Sequence, residues 1–290
     1  MEVKLAIAPI AWSNDDLPQL GGNTSLETCL SETKQAGYVG TEMGGKFPQD
    51  KKELKKVLED FNLELAGSWF SGQLLSQSVE QELKDLDAFI DDKLYAGCKV
   101  VVYCECSNTI QAKQEIVLSK KPVLSEDEMK DYANKYNTLF DFAKSKGAIL
   151  AYHHHMGTII QSEDEIDMFL KYTKNEVTLA FDTGHMYFAG GNPLLMIKKH
   201  KNRISHVHFK DVREEVKKEV LKKDTSFIDA VLAGVYTVPG DGVIDFAPIV
   251  DVLKEINYVG WIVVEAEQDP KLANPLEYAS KAYTYINKIL

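Results

Sequence analysis

The sequence predicts an α/β fold, a single (β/α)8 TIM barrel, and three observations lead there. Eight apolar, β-branched runs alternate with helix-length segments of 3.6-residue apolar spacing. No Gly/Ser/Pro-rich linker divides the chain, so residues 1–290 read as one barrel domain. The length of 290 residues accommodates such a barrel, which typically needs about 250.

The predicted strands, in order, are Val3–Ile10, Val39–Met43, Leu63–Trp69, Lys99–Cys104, Ile149–His153, Val177–Asp182, Ile204–Phe209 and Trp261–Glu265. Between them, Leu54, Val57, Leu58 and Phe61 exemplify the helical spacing. Thr24 with Glu27, Ser125 with Glu128 and Ser162 with Glu165 match the capping box that satisfies free amide donors at a helix start. Gly37, Gly97 and Gly147 fall where helices should end in a left-handed residue.

Four segments concentrate the metal-type ligands: Tyr152-His153-His154-His155, Phe181-Asp182-Thr183-Gly184-His185, His206-Val207-His208-Phe209-Lys210-Asp211, and Val264-Glu265-Ala266-Glu267. Each closes a predicted strand. In a closed parallel barrel the strand ends converge on one mouth, so these imidazoles and carboxylates should meet there. A mixed N/O set of this kind suits a catalytic divalent metal with open positions. Alternation along each strand puts His153 and His155 on one face and His154 on the other, pairs His206 with His208, and pairs Glu265 with Glu267. The expected ligands are His153, Asp182, His208 and Glu265, one per strand. A single such residue more often packs than ligates, but four at consecutive strand ends would leave several buried charges unexplained.

Other polar residues near strand ends are candidates for the substrate: Trp12 and Asn14 after the first strand, Glu42 after the second, Trp69 after the third, and Lys210 after the seventh. Glu42 and Lys46 flank two glycines that permit close approach to a ligand, though both could equally form a bracing salt bridge. His155, His185 and Lys46 are the candidates for moving protons. Histidine needs the least adjustment to act near neutrality, whereas a lysine base requires burial.

Spacing is regular except once. Asp182 follows His153 by 29 residues and His208 follows Asp182 by 26, but Glu265 lies 57 residues beyond His208. The excess contains the charge-rich Val212–Asp224 and the turn-rich Val238–Val243, and it should lie over the catalytic face as a lid or as a solvated surface helix. The Glu105–Leu124 connection could cover the same mouth. Gly240-Asp241-Gly242 lacks the patterns of a phosphate loop and reads as a turn.

The net charge of −11 argues against a nucleic-acid partner, which needs a basic face. No run approaches the roughly 18 apolar residues of a membrane span, and no leader-like segment opens the sequence, so a cytoplasmic location is expected. The four cysteines, Cys29, Cys98, Cys104 and Cys106, contain no CxxC pair. No heptad or interface stripe indicates an oligomeric state.

Several separated motifs resemble myo-inosose-2 dehydratases of inositol catabolism, within the xylose isomerase-like barrels: Ala8–Asp16, Gly40–Pro48, His153–Thr158, Phe181–His185, His206–Asp211 and Val238–Gly242. The resemblance implies a Mn2+ or Co2+ requirement, a role for glutathione, and a polyhydroxy cyclic ketone substrate. The implied reaction removes water from scyllo-inosose to give a trihydroxycyclohexane-dione. It also implies a departure. Superfamily epimerases usually place glutamates at the first and fourth metal positions, whereas His153 stands at the first here. That weakens the competing reading of a sugar or keto-inositol isomerase, and leaves open whether His153 ligates or the shell is rearranged around His155 or His185. A metal-dependent phosphodiesterase or nuclease would want a basic groove, and a non-catalytic sugar-binding barrel would not need four ligands.

Overall fold

The computed structural model describes residues 1–265 and 267–290. Ala266, inside the Val264–Glu267 motif, lies outside the described residues. Among the described residues ten strands form: β1 (Glu2–Ile7), β2 (Gly40–Met43), β3 (Glu64–Gly72), β4 (Val100–Glu105), β5 (Ile149–His153), β6 (Thr178–Asp182), β7 (Ile204–Phe209), β8 (Asp211–Val212), β9 (Tyr236–Thr237) and β10 (Val259–Val264). Eight of them close a barrel in the order β1-β10-β7-β6-β5-β4-β3-β2, and every pairing described within it is parallel. The remaining two, β8 and β9, make a small antiparallel ribbon. All eight predicted strands are therefore present, with shifted ends. The first stops at Ile7 and not Ile10, because Pro9 begins a short 3-10 turn over Pro9–Ala11. The third runs on to Gly72, paired with Glu105 of β4.

Helix starts follow local chemistry. Ser125 and Ser162 form complete capping boxes with Glu128 and Glu165. At the first helix the cap is Ser25, which accepts from the Thr28 amide, so the expected Thr24–Glu27 box is displaced by one residue. Gly37, Gly97 and Gly147 adopt φ of 106°, 88° and 80°, as a left-handed helix end requires.

Side-chain parity positions the site. Outward residues such as Tyr103, Tyr152 and Phe181 join the main core against the helices, where Tyr136 packs edge to face with both Tyr152 and Phe169. Residues of the opposite parity, Ala151, Ala180 and Val263, belong to small separate clusters with Val100, Val102, Ala66 and Ala6. Two positions further along the same faces stand His153, Asp182 and Glu265. The period of two that fills the barrel with small aliphatics thus carries these polar residues to its C-terminal mouth.

The long connections close over that mouth. The excess segment forms β8, the helix Glu214–Lys223, the helix Phe227–Leu232 and β9. It is part surface helix and part wall: on Glu214–Lys223 only Val220 is buried, whereas Phe227, Ile228, Ala230 and Val231 are all buried. The 105–124 connection joins it through a Val117–Ser226 bridge and a hydrogen bond from the Leu118 amide to Thr225 O. The turn around Gly240–Gly242 wraps the Asp211 carboxylate, which accepts from the amides of Val212 (2.8 Å), Gly240 (3.2 Å), Gly242 (2.9 Å) and Ile244 (2.9 Å). Asp211 is fully buried, so its loss orphans four amides at once. Replacing Asp211 with Ala should lower stability by about 3 kcal/mol in urea unfolding. A loss within about 0.5 kcal/mol would mean that the turn holds itself.

Candidate active site

At the mouth, His153 Nε2 lies 3.1 Å from His208 Nδ1 and 3.9 Å from Asp182 Oδ2. His208 Nδ1 is 3.7 Å from Asp182 Oδ2 and 3.4 Å from Glu265 Oε1. His153, Asp182 and His208 therefore meet, with donor atoms within 4.8 Å of one another, and Glu265 joins them through its approach to His208. Asp182 Oδ2 is buried and has no hydrogen-bond partner among the described residues. The other Asp182 oxygen caps the following short helix by accepting from the His185 amide at 2.7 Å. An unpaired buried carboxylate oxygen facing two imidazole nitrogens is the arrangement a divalent cation would satisfy, and this donor set fits one.

Glu42 lies behind this cluster. Its Oε1 accepts from His206 Nε2 at 2.7 Å and stands 3.2 Å from His208 Nε2. A His208 Nε2–H donated to Glu42 leaves the Nδ1 lone pair facing the cluster, which is how an outer carboxylate orients a ligating histidine. Burial opposes the charge of Glu42, but the imidazoles of His208 and His206 hold its carboxyl below the usual range. Burial likewise opposes a charged His208, yet Glu42, Glu265 and Asp182 push it up to about 9, so an ion binding at Nδ1 would displace a proton from it. Glycine at 67 makes room for this carboxylate, since a Cβ there would sit 2.5 Å from Glu42 Oε1. The expected alternative, a Glu42–Lys46 bridge, does not form.

His154 takes the other face, as alternation requires, and accepts from the Asp182 amide at 3.2 Å. His155 Nδ1 is 2.7 Å from the Met156 carbonyl, which can only accept, so the ring proton sits on Nδ1 and Nε2 keeps its lone pair. Burial, together with the nearby Lys210 charge, holds His155 down at about 3, so it is neutral. His185 is also neutral, lowered first by burial. Its Nε2 lies 3.0 Å from Lys210 Nζ and its Nδ1 2.9 Å from the Tyr236 hydroxyl. Lys210, a donor only, makes Nε2 an acceptor, while Nδ1 faces both the Tyr236 hydroxyl and the Met156 amide, the latter at 3.3 Å.

A cavity of about 340 Å3 opens above these groups, lined by Trp69, His153, His155, Lys210, Glu265, Glu267, Glu42, Asp15, Asp16 and Gln111. Trp69 stands edge-on to His153 and His155, with ring centroids at 5.4 and 5.9 Å. Two expectations are corrected. Lys46 turns away: its ammonium donates to the carbonyls of Gly21 (3.0 Å), Gly22 (2.9 Å) and Thr24, bracing a loop beside a different, smaller cavity. Trp12 is buried in the core, with its indole N–H on Glu32 at 2.6 Å, because the Pro9–Ala11 turn redirects the chain. Asn14 is indirect, supporting Glu267 at 3.3 Å while its oxygen accepts from the Asp16 and Leu17 amides.

The family model for xylose isomerase-like TIM barrels matches residues 30–289. The chain is 49% identical to an inosose dehydratase of Geobacillus thermodenitrificans, over 99% of this chain and 97% of that one. It is 48% identical to an inosose dehydratase of Clostridium tetani, again over 99% and 97%. The chain belongs to the inosose dehydratase family of xylose isomerase-like barrels. That family is one of hydro-lyases, enzymes that break a carbon–oxygen bond with loss of water. In fold the chain resembles the probable 3-DHS dehydratase AsbF of Bacillus anthracis (TM-score 0.71, 13% identity, 98% of each chain covered). It also resembles the IOLI protein, described with a binding zinc atom (TM-score 0.67, 17% identity, 99% and 96% covered).

The expected set omitted Asp16, Gln111 and Tyr236. Gln111 Nε2 donates to Asp16 Oδ2 at 3.2 Å across the cavity. Burial pushes the Asp16 carboxyl up to about 6 from 3.8, partly offset by that hydrogen bond. The folded protein thus holds this proton more tightly than the unfolded chain. The ionised form costs stability above about pH 6, and the cost vanishes below about pH 4. Asp16→Asn should raise Tm by a few degrees at pH 7.5, with the gain shrinking as pH falls through this window. An unchanged Tm at pH 7.5 would contradict the burial argument.

Proposed function

We propose that the chain removes water from an inosose, scyllo-inosose being the substrate implied by its relatives, with His153, Asp182, His208 and Glu265 holding a divalent ion, Mn2+ or Co2+. The observation that carries this reading is the unpartnered Asp182 Oδ2 facing the nitrogens of His153 and His208, in a chain nearly half identical to inosose dehydratases. The zinc described for the IOLI protein supports a metal in a barrel of this fold. When bound, such an ion supplies Lewis-acid polarisation of the substrate's ketone oxygen, which acidifies the adjacent C–H.

The chain's own residues do the rest. Glu42 keeps His208 in the ligating tautomer. His155 takes the α-proton at Nε2, because its Nδ1–H is already committed to the Met156 carbonyl, which also stabilises the imidazolium that forms. His185 is less suited as base, since Lys210 occupies its Nε2. Asp16, pushed up to about 6, carries a proton at the opposite wall within reach of neutrality, and it protonates the departing β-hydroxyl. Trp69 gives the ring a flat apolar wall. Glutathione enters as a reductant that this reading leaves outside the chemistry.

Metal-stripped protein mixed with scyllo-inosose should turn over only after Mn2+ or Co2+ is added, with product lighter by one water and with no need of glutathione. His155→Ala should lose about 100-fold or more in kcat while still binding the ion. Turnover at unchanged mass would instead make the chain an isomerase. No turnover with any ion, or a fully active His155→Ala, would reject the assignment.

A further inference from the structure

Lys210 is fully buried at the mouth, and every donor it has is used. Its Nζ lies 2.7 Å from Glu265 Oε2, 3.0 Å from His185 Nε2 and 3.3 Å from Glu267 Oε2, with Asp182 Oδ2 at 3.9 Å. Three N–H groups therefore meet three acceptors, none of them left for a substrate hydroxyl. The substrate contact expected of Lys210 is thus replaced by something else. The acceptors around it are of the metal-ligand kind. Donor atoms of Asp182, His185 and Glu265 lie within 4.8 Å of one another, and so do those of His155, His185 and Glu267.

Glu265 links this position to the first. Its Oε1 is 3.4 Å from His208 Nδ1, on the side of the expected metal, while its Oε2 is on Lys210. A carboxylate split in this way has the geometry to bridge two neighbouring cations.

We propose that Lys210 is a built-in second cation: its ammonium stands among His185 Nε2, Glu265 Oε2 and Glu267 Oε2, where the Asp182–His185–Glu265 and His155–His185–Glu267 sets overlap, and so limits the mouth to one divalent ion. This rests on the metal reading of the His153–Asp182–His208–Glu265 cluster. The side chain is not free to leave. The Lys210 amide donates to Thr183 Oγ1 at 3.0 Å, Thr183 Oγ1 donates back to the Lys210 carbonyl at 2.8 Å, and the ammonium sits 4.6 Å from the Tyr236 ring centre. Its contacts of 2.7 to 3.3 Å are longer than the roughly 2.0–2.2 Å of a metal–ligand bond, so an ion replacing it needs its ligands to close in by about an ångström.

The test counts ions. Wild type, Lys210→Ala, Lys210→Arg and the double variant Lys210→Ala/His185→Ala are each saturated with Co2+, and bound metal per chain is measured by elemental analysis and calorimetry. One ion is expected in wild type and in Lys210→Arg, two in Lys210→Ala, and one again in the double variant. Two ions in wild type, or one in a folded Lys210→Ala, would overturn the proposal. A Lys210→Ala chain that stays unfolded at saturating Co2+ would also overturn it, because the second ion should replace the missing charge. No ion in wild type would sink the underlying metal reading itself, a distinct outcome.

Discussion

Four carboxyl groups, those of Glu42, Asp182, Glu265 and Glu267, crowd the mouth of the barrel, and one ammonium, that of Lys210, is buried among them. Charges of one sign removed from water repel strongly unless cations or shifted protons compensate them. The neighbouring groups register this excess. His208 is pushed up to about 9 despite its burial, and burial pushes Asp182 up to about 6. The need for positive charge at this point organises the other features: Glu42 faces His206 and His208, Lys210 saturates three acceptors, and Asp182 Oδ2 waits for a partner. In the proposed function a divalent ion between His153 and His208 would answer that need and would also serve the elimination.

Around this charged centre the connections supply what the strands cannot. The segment after β7 sends Phe227 against His155 and His185, with ring centroids at 5.1 and 6.0 Å, and places the Tyr236 hydroxyl on His185. The segment after β4 contributes Gln111. Both are locked, one by the Asp211 carboxylate and each to the other through Val117 and Ser226. They form a wall beside the mouth that packs Phe227 against the two histidines.

Much of this was legible in the sequence because it follows from two short-range rules. Alternation along a strand and one ligand per βα unit were enough to bring His153, Asp182, His208 and Glu265 together. Capping boxes at Ser125 and Ser162 are contained within four residues, so they too could be read directly. What could not be read depends on pairings without periodicity. Glu42 meets His206 and His208 across 164 and 166 residues, and only barrel closure brings them into contact. Lys46 was misplaced because the Gly44-Gly45 turn carries it outward to the carbonyls of Gly21, Gly22 and Thr24. Trp12 was misplaced because Pro9 ends the first strand early. Asp16 and Gln111 sit on irregular connections and Tyr236 on the short strand β9 within the excess segment, none of whose course a periodic pattern dictates, and an Asp15-Asp16 pair in a loop looks like any solvated acidic turn.

The most direct measurement of the central claim is a crystal structure of the protein soaked with Co2+, with anomalous scattering used to locate the ion. The account predicts a single peak bounded by His153 Nε2, Asp182 Oδ2, His208 Nδ1 and Glu265 Oε1, with Glu42 still hydrogen-bonded behind His208. A peak held instead by His155 and His185, or none at the mouth, would contradict it.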